Sequence, residues 1–344
     1  MRKPNYDKFP STVIAGTIFQ GWDEIRGILS DCLKSNNVLA VDCYTGVYEE
    51  ELVRELSKLS ARLVLVRDLY KEESELRCMT ERFMTEDVLF GYVTNLCISD
   101  YFDVEKLEDA RRCACDASTP LIIIGTGAGM VAPGATLVYV DMARWEIQQR
   151  CRRHEVKALG IDNREDAVSL QYKRGYFNDW RICDRYKSTL FEHVDYWLDS
   201  HIPGSPKMID RQTFYKGIDK TASKPFRVVP YFDQAPWGGQ WMKAVCDLDP
   251  DVPNYGWCFD CVPEENSLYL EVNGVRFELP SVDLVLLKSK ELLGEPVEAR
   301  FGKEFPIRFD FLDTIGGGNL SLQVHPTDEY IRRTFGMRYT QDES

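Results

Sequence analysis

Short apolar, β-branched runs alternate with amphipathic stretches through the first two hundred residues. Residues 37–42, 62–68, 121–125 and 136–141 read as strands, and 49–59 reads as a helix between the first two. Continuous Val/Ile/Leu runs separated by helical periods predict a parallel sheet buried on both faces. The β-α-β order implies right-handed crossovers and a doubly wound layer. Residues 142–153 read as a helix with a basic tip, and 186–200 as a further amphipathic helix stopped by the turn around Pro203 and Pro206. From 207 to 225 the chain is polar and turn-rich, which reads as a linker. After Phe226 the pattern changes to short strands with frequent Gly and Pro, predicting an all-β barrel or sandwich. The expected organisation is therefore an α/β domain over 1–206, a linker over 207–225 and a mostly-β domain over 226–344.

Composition narrows the function classes. A chain of 344 residues, 44% hydrophobic and 28% charged, has the balance of a soluble two-domain protein. Fifty-five acidic residues against 42 basic ones give a net charge of −13. That excess disfavours nonspecific binding to nucleic acid or anionic lipid, since it offers no counterion release. No apolar run is long enough for a spanning helix, and the start, Met1 to Asp7, lacks the apolar core of a signal peptide. Eleven cysteines, an odd number, read as reduced thiols of a cytoplasmic protein.

Several chemistry-bearing residues stand out. Cys258 and Cys261 form a lone C-x-x-C without a second pair, and Cys113 and Cys115 fall in a polar helical stretch; both read as structural. His154, His193 and His201 lie in polar stretches and read as solvated. Residues 41–48 join a strand to a helix, the junction that cradles phosphate in P-loop proteins. Only Gly46 of the required glycines is present, and no Gly-Lys-Ser/Thr ending follows. Gly125, Gly127 and Gly129 read as a flexible loop at a strand end. The third glycine falls one position early for a dinucleotide fingerprint, and 130–134 does not read as a helix. In residues 320–326, read as a strand, Gln323 and His325 share a face. With Glu343 further on they offer an amide oxygen, an imidazole and a carboxylate, a set that suits Zn²⁺ among other divalent ions.

The wording of residues 321–326, Ser-Leu-Gln-Val-His-Pro, resembles the metal-site signature of type I mannose-6-phosphate isomerases, zinc enzymes built on a cupin-type β-barrel. Further elements occur in the family's order. Residues 235–239 resemble its early Trp-Gly-Gly element, 305–313 the strand before the metal strand, and 316–319 its Gly-rich turn. The resemblance covers 230–344. It implies a partial cupin-type barrel and sugar or sugar-phosphate isomerisation, with Gln323, His325 and Glu343 as Zn²⁺ ligands. It also implies Ser321 near the substrate's phosphate and Trp237 beside the site. Residues 138–141, with Arg144 and Arg150, resemble the late strand and basic helix of uridine-kinase-like proteins. That resemblance implies a kinase-like first domain whose phosphate loop has degenerated.

Three departures matter. Asp310 and Gln341 stand where the isomerase family carries lysines near the phosphate. Each lost charge-assisted contact is worth about 1.5–3 kcal/mol. Arg308, two residues from Asp310, is the expected compensating cation. The family's second histidine ligand and catalytic arginine have no counterpart after Glu343, so the chain is expected to be the front of a longer protein, and no catalytic base is assigned. The expected function is zinc-dependent aldose–ketose isomerisation, mannose 6-phosphate to fructose 6-phosphate or a related sugar. The alternatives are a non-catalytic sugar- or metabolite-binding protein and an active small-molecule kinase.

Overall fold

The computed structural model describes residues 4–305, 307–320, 322 and 324–339. Its strands are β1 (Ser11–Ile14), β2 (Ile18–Gln20), β3 (Val38–Cys43), β4 (Arg62–Leu65), β5 (Leu121–Ile124), β6 (Thr136–Asp141), β7 (Tyr196–Asp199), β8 (Lys207–Asp210), β9 (Tyr231–Asp233), β10 (Trp257–Cys261), β11 (Ser267–Val272), β12 (Val275–Pro280) and β13 (Phe309–Leu312). They build a mixed α/β structure with a seven-stranded sheet in the order β2-β8-β7-β6-β3-β5-β4. The five strands β4, β5, β3, β6 and β7 run parallel, and β8 and β2 add an antiparallel edge. β3 and β5 are buried at every position, as their unbroken apolar runs require of strands covered on both faces.

The strands at 37–42, 121–125 and 136–141 and the helix from 49 lie where the apolar pattern puts them. The pattern misleads elsewhere. Residues 62–68 leave the sheet at Leu65 and tighten into a 3₁₀ turn, Val66–Leu69. Residues 186–200 do not form one helix: Trp180–Leu190 is helical and Tyr196–Asp199 is β7. Tyr186, Leu190, Val194 and Trp197 mimic a helical period, but Trp197 and Leu198 are buried on opposite faces of the sheet.

The stretch 207–225 is not a free linker. Met208 and Ile209 are buried in β8, and Arg211–Ala222 is a helix capped by Asp210, whose carboxylate accepts from Thr213 N–H at 2.7 Å. Phe214, Ile218 and Thr221 bury one face of that helix, and Phe214 stacks on Trp197 with centroids 3.8 Å apart. The loop after β5 also holds a short helix, Ala128–Val131.

Beyond 226, two open three-stranded sheets appear, β1-β11-β12 and β13-β10-β9, and neither closes into a barrel among the described residues. β1 pairs parallel with β11, so the N-terminal segment joins strands from the far end of the chain. The main apolar core runs without interruption from Ile14 to Leu284, past the expected boundary at 226. Gly217 makes this possible, because a Cβ there would lie 2.3 Å from the Leu270 side chain. The β13-β10-β9 sheet has its own small core of Met242, Tyr255 and Cys258. Among the described residues no helix is long and apolar enough to cross a membrane.

One buried ionic cluster ties the two halves. Lys187, on the Trp180–Leu190 helix, places its ammonium 3.0 Å from Asp141 at the end of β6 and 2.6 Å from Asp283 on the Val282–Leu293 helix. Burial alone would lower the lysine pKa, but the two carboxylates outweigh it and hold the ammonium charged. Burial, then the neighbouring Asp141 charge, pushes the Asp283 carboxyl well above the usual carboxylate range, against the pull of Lys187. Lys187→Ala leaves that pair without its cation and should lower stability by about 3–5 kcal/mol in urea unfolding. Lys34→Ala, which removes the exposed pair with Asp31, should cost less than about 1 kcal/mol.

Candidate functional site

In the parallel sheet β3 lies between β5 and β6. The crossover from β3 leads past β5 to β4 and the one from β5 leads past β3 to β6, so the order reverses and a crevice is expected at the carboxyl ends of β3 and β6. Residues 41–48, which join β3 to the helix starting at Glu49, lie at this crevice. Its polar groups are engaged internally. Asp42, fully buried, accepts from Gly127 N–H at 3.0 Å, Gly129 N–H at 2.8 Å and the Tyr186 hydroxyl at 2.6 Å. Burial pushes its pKa up to about 6, against the pull of those donors. Gly127 has φ of 103°, which presents its N–H to this carboxylate, an internal anion held by amides of the kind that bind phosphate elsewhere. Gly46 O accepts from Arg150 Nη1 at 2.9 Å, and Tyr44 N–H donates to Val140 O.

The second half of the chain roofs this crevice. Trp145 N–H donates to Glu265 O at 3.3 Å, and the Tyr172 hydroxyl and Gln148 amide reach the Glu265 carboxylate. Arg144 pairs with Asp184 at 2.5 Å and lies over the Trp180 ring. The Trp145 indole N–H reaches Ser267 Oγ at 2.9 Å and Glu278 at 3.0 Å. His201, expected to be solvated, is buried here. Its Nδ1 faces Asp199 at 2.8 Å and its Nε2 accepts from Ala143 N–H at 3.0 Å. Burial lowers the ring's pKa, but Glu278, 3.9 Å away, and Asp199 outweigh it and raise it above the usual imidazole value.

A second centre lies in the β13-β10-β9 region, where three stretches of the isomerase resemblance meet around Asp313. The Asp313 carboxylate accepts from Met242 N–H at 2.8 Å and Ile315 N–H at 2.9 Å, and its carbonyl accepts from Gly239 N–H at 2.7 Å. Gln240 N–H donates to Ile315 O, and Gly318 N–H to Trp237 O. Glycine is required at this crossing: a Cβ on Gly239 would sit 2.3 Å from Asp313 Oδ1, and one on Gly317 would sit 2.3 Å from Trp237 O. The Trp-Gly-Gly element, the end of β13 and the Gly-rich turn are thus one hydrogen-bonded knot.

The expected site residues fare unequally. Trp237 is half-buried beside the knot, edge-on to Trp257 at 5.2 Å. Arg308 pairs with Glu264 at 2.6 Å and its side chain is 9% exposed, so contact with a substrate requires that pair to open. His325 is exposed. Ser321, Gln323 and Glu343 lie outside the described residues, as does Gln341. Leu320, Leu322 and Val324–Thr327 form no ladder, unlike the strand expected there; among the described residues the neighbouring β13 pairs only with β10. Among the described residues no group of three His, Cys, Asp or Glu is placed to hold a metal. Lys187, Asp283, Glu265 and Asp313 escaped sequence reasoning. Only Asp313 carried a signal, an Asp closing a strand just before a glycine turn.

Comparison with family models matches residues 21–223, more than half of the chain, to a domain of unknown function, DUF8485. The chain belongs to this family. No curated protein matches it. The DUF8485 domain therefore spans all of the seven-stranded sheet except Ile18–Gln20, while the Asp313 knot and His325 lie beyond it.

Two outcomes follow from this geometry. Asp313→Ala strips two backbone donors of their acceptor and should lower stability by about 2–3 kcal/mol in denaturant titration. Burial pushes Glu265 up to about 7, against the pull of Arg144. A raised carboxyl pKa stabilises the fold below the unfolded value, and that contribution is lost as pH rises through the folded value. Stability should therefore fall by about 2 kcal/mol between pH 5 and 8 on this account, and Glu265→Gln should flatten the slope.

Proposed function

We propose that the region beyond the DUF8485 domain is a zinc-dependent aldose–ketose isomerase element of the mannose-6-phosphate isomerase type, and that the DUF8485 domain frames it without binding nucleotide. The observation that supports this reading is that the Trp-Gly-Gly element, 235–239, folds onto Asp313 at the end of the 305–313 element and onto the adjoining turn, 316–319. The side-chain pattern that follows the knot also supports it: Leu320, Leu322 and Val324 are exposed apolar residues at alternate positions, the two-faced pattern of a strand.

The donor chemistry of Gln323, His325 and Glu343 suits zinc, with two hard oxygens and a neutral imidazole. Bound there, the ion would polarise a sugar's neighbouring oxygens and stabilise the charge that develops during isomerisation. Asp310 and the engaged Arg308 leave the cations of a phosphate site scarce, which supports a related sugar over mannose 6-phosphate. They also favour the second reading, a sugar-binding protein without turnover. A kinase function is disfavoured, because Asp42 and Arg150 already occupy the loop groups that would meet a nucleotide.

The purified chain, dialysed and analysed by mass spectrometry, should hold about one zinc that His325→Ala loses. Mannose 6-phosphate and unphosphorylated mannose are then compared in a coupled assay for the ketose product. Metal-free protein sinks the zinc reading; zinc without turnover on either sugar moves the assignment to the sugar-binding alternative. ATP with Mg²⁺ should give no heat in calorimetry.

A further inference from the structure

His201 stands at the seam between the DUF8485 domain and the hairpin that follows it. His201 and Ala143 belong to the family domain, whereas Glu278 lies on β12, beyond residue 223. One side of the ring is fixed. Nδ1 meets Asp199 Oδ1 at 2.8 Å, and the same oxygen accepts from His201 N–H at 3.1 Å. Lys207 holds the other Asp199 oxygen at 3.0 Å, where Glu278 N–H also donates at 3.0 Å. That carboxylate keeps the proton on Nδ1 and leaves Nε2 free to change partner.

Nε2 has two partners within reach, and they require opposite things of it. Ala143 N–H, just before the Arg144–Arg152 helix, donates to it at 3.0 Å, a bond that only an unprotonated nitrogen accepts. The Glu278 carboxylate, 3.9 Å away, needs Nε2 to donate. Glu278 is 8% exposed, and it accepts from the Ser267 hydroxyl at 2.6 Å and the Trp145 indole N–H at 3.0 Å, both neutral donors. Among the described residues no Lys or Arg forms an ion pair with it, and His201 is the one basic group at its side. A buried carboxylate without a cation is costly, so a proton on Nε2 has an acceptor waiting.

The remaining charged and titratable groups around the ring are already committed. Arg150 donates to the Ser200 and His201 carbonyls at 3.1 and 3.2 Å and is paired with Glu146 at 2.8 Å. Lys207 is held by Asp199, and burial, then Glu278 and Asp199, keeps the Tyr269 hydroxyl on β11 protonated. We propose that His201 is a proton-operated latch. Neutral, its Nε2 binds Ala143 N–H inside the DUF8485 domain; protonated, it releases Ala143 and pairs with Glu278, tying the β11–β12 hairpin to the domain. Acid therefore tightens the seam over the crevice. The raised pKa of the ring gives the same sign. The ion pair stabilises the fold fully below the unfolded imidazole value, about 6.5, and its contribution is lost as pH rises through the folded value. The latch is separate from the zinc reading and stands without it.

The test follows the four histidines of the isotope-labelled full chain by NMR over a pH titration, with the exposed His193 as internal reference. Expected are a His201 midpoint above that of His193 and an Ala143 amide signal that shifts with the same midpoint. Amide exchange in β12, corrected for its intrinsic pH dependence, should be about tenfold slower below the midpoint than above it. Glu278→Gln should lower the His201 midpoint by about one pH unit and abolish the pH difference in β12. A ring that stays neutral throughout would overturn the latch, as would an Ala143 amide that stays unmoved while the ring titrates. A midpoint that Glu278→Gln leaves in place would do the same, since the ring would then be charged without Glu278. The Ala143 measurement needs no variant, so it decides even where Glu278→Gln fails to fold.

Discussion

Lys187 has no access to water, and a buried ammonium is tolerable only where carboxylates meet it on every open side. One partner, Asp141, ends the central strand β6; the other, Asp283, arrives from a helix almost a hundred residues further on. Neither half can relax without stranding a charge. That requirement brings the Val282–Leu293 helix and the β11–β12 hairpin before it against the carboxyl end of the sheet. The Glu265 turn and the Trp145–Ser267–Glu278 contacts then close over the crevice. In a parallel sheet this crevice is the usual place for a ligand. Here the chain has filled it with its own charges, so the backbone groups at the end of β3 and after β5 are already engaged.

Legibility followed the range of the interactions. β3, β5 and β6 were readable because each is a run of apolar residues whose burial on both faces leaves a local mark. The 186–200 stretch was misread because four apolar residues happened to recur at helical spacing across a helix, a turn and a strand. The 207–225 stretch looked like a linker because its helix is short and its exposed face carries most of the polar residues. His201 looked solvated because nothing in its neighbourhood foretells Ala143 N–H or Asp199 as partners. The cluster around Lys187 left no trace for the same reason: its charges are ordinary in sequence and meet only through the fold. The Asp313 knot was partly legible, since its glycines mark places where backbones approach too closely for a side chain. The alternation at 320–326 reads as a strand, but alternation alone supplies no ladder partner, and among the described residues Leu320, Leu322 and Val324 pair with none.

The arrangement divides labour between the halves. The seven-stranded sheet and the β11–β12 hairpin share one core and form the rigid part. The β13-β10-β9 sheet has a core of three fully buried side chains and leans on the rigid part through polar contacts. The Asp233 carboxylate meets Arg152 on two nitrogens at 2.7 and 2.5 Å, and the Gln149 amide reaches the Tyr231 hydroxyl at 2.6 Å. Such contacts fix geometry more than they add stability, since a half-exposed ion pair contributes about 1 kcal/mol or less.

Charge placement carries the argument to the substrate. On the proposed reading a phosphorylated sugar would need cations near β13, where Asp310 lies on the strand and Arg308 is held by Glu264. Opening that pair would strand Glu264 beside Glu265, whose own pKa is already pushed up by burial and by this neighbour. A dianionic phosphate would then stand near two carboxylates with a single arginine between them. A neutral sugar asks for none of this, because its hydroxyls can take hydrogen bonds from groups already present without displacing a buried pair. On the proposed reading, the electrostatics of β13 therefore disfavour a phosphorylated substrate over an uncharged one.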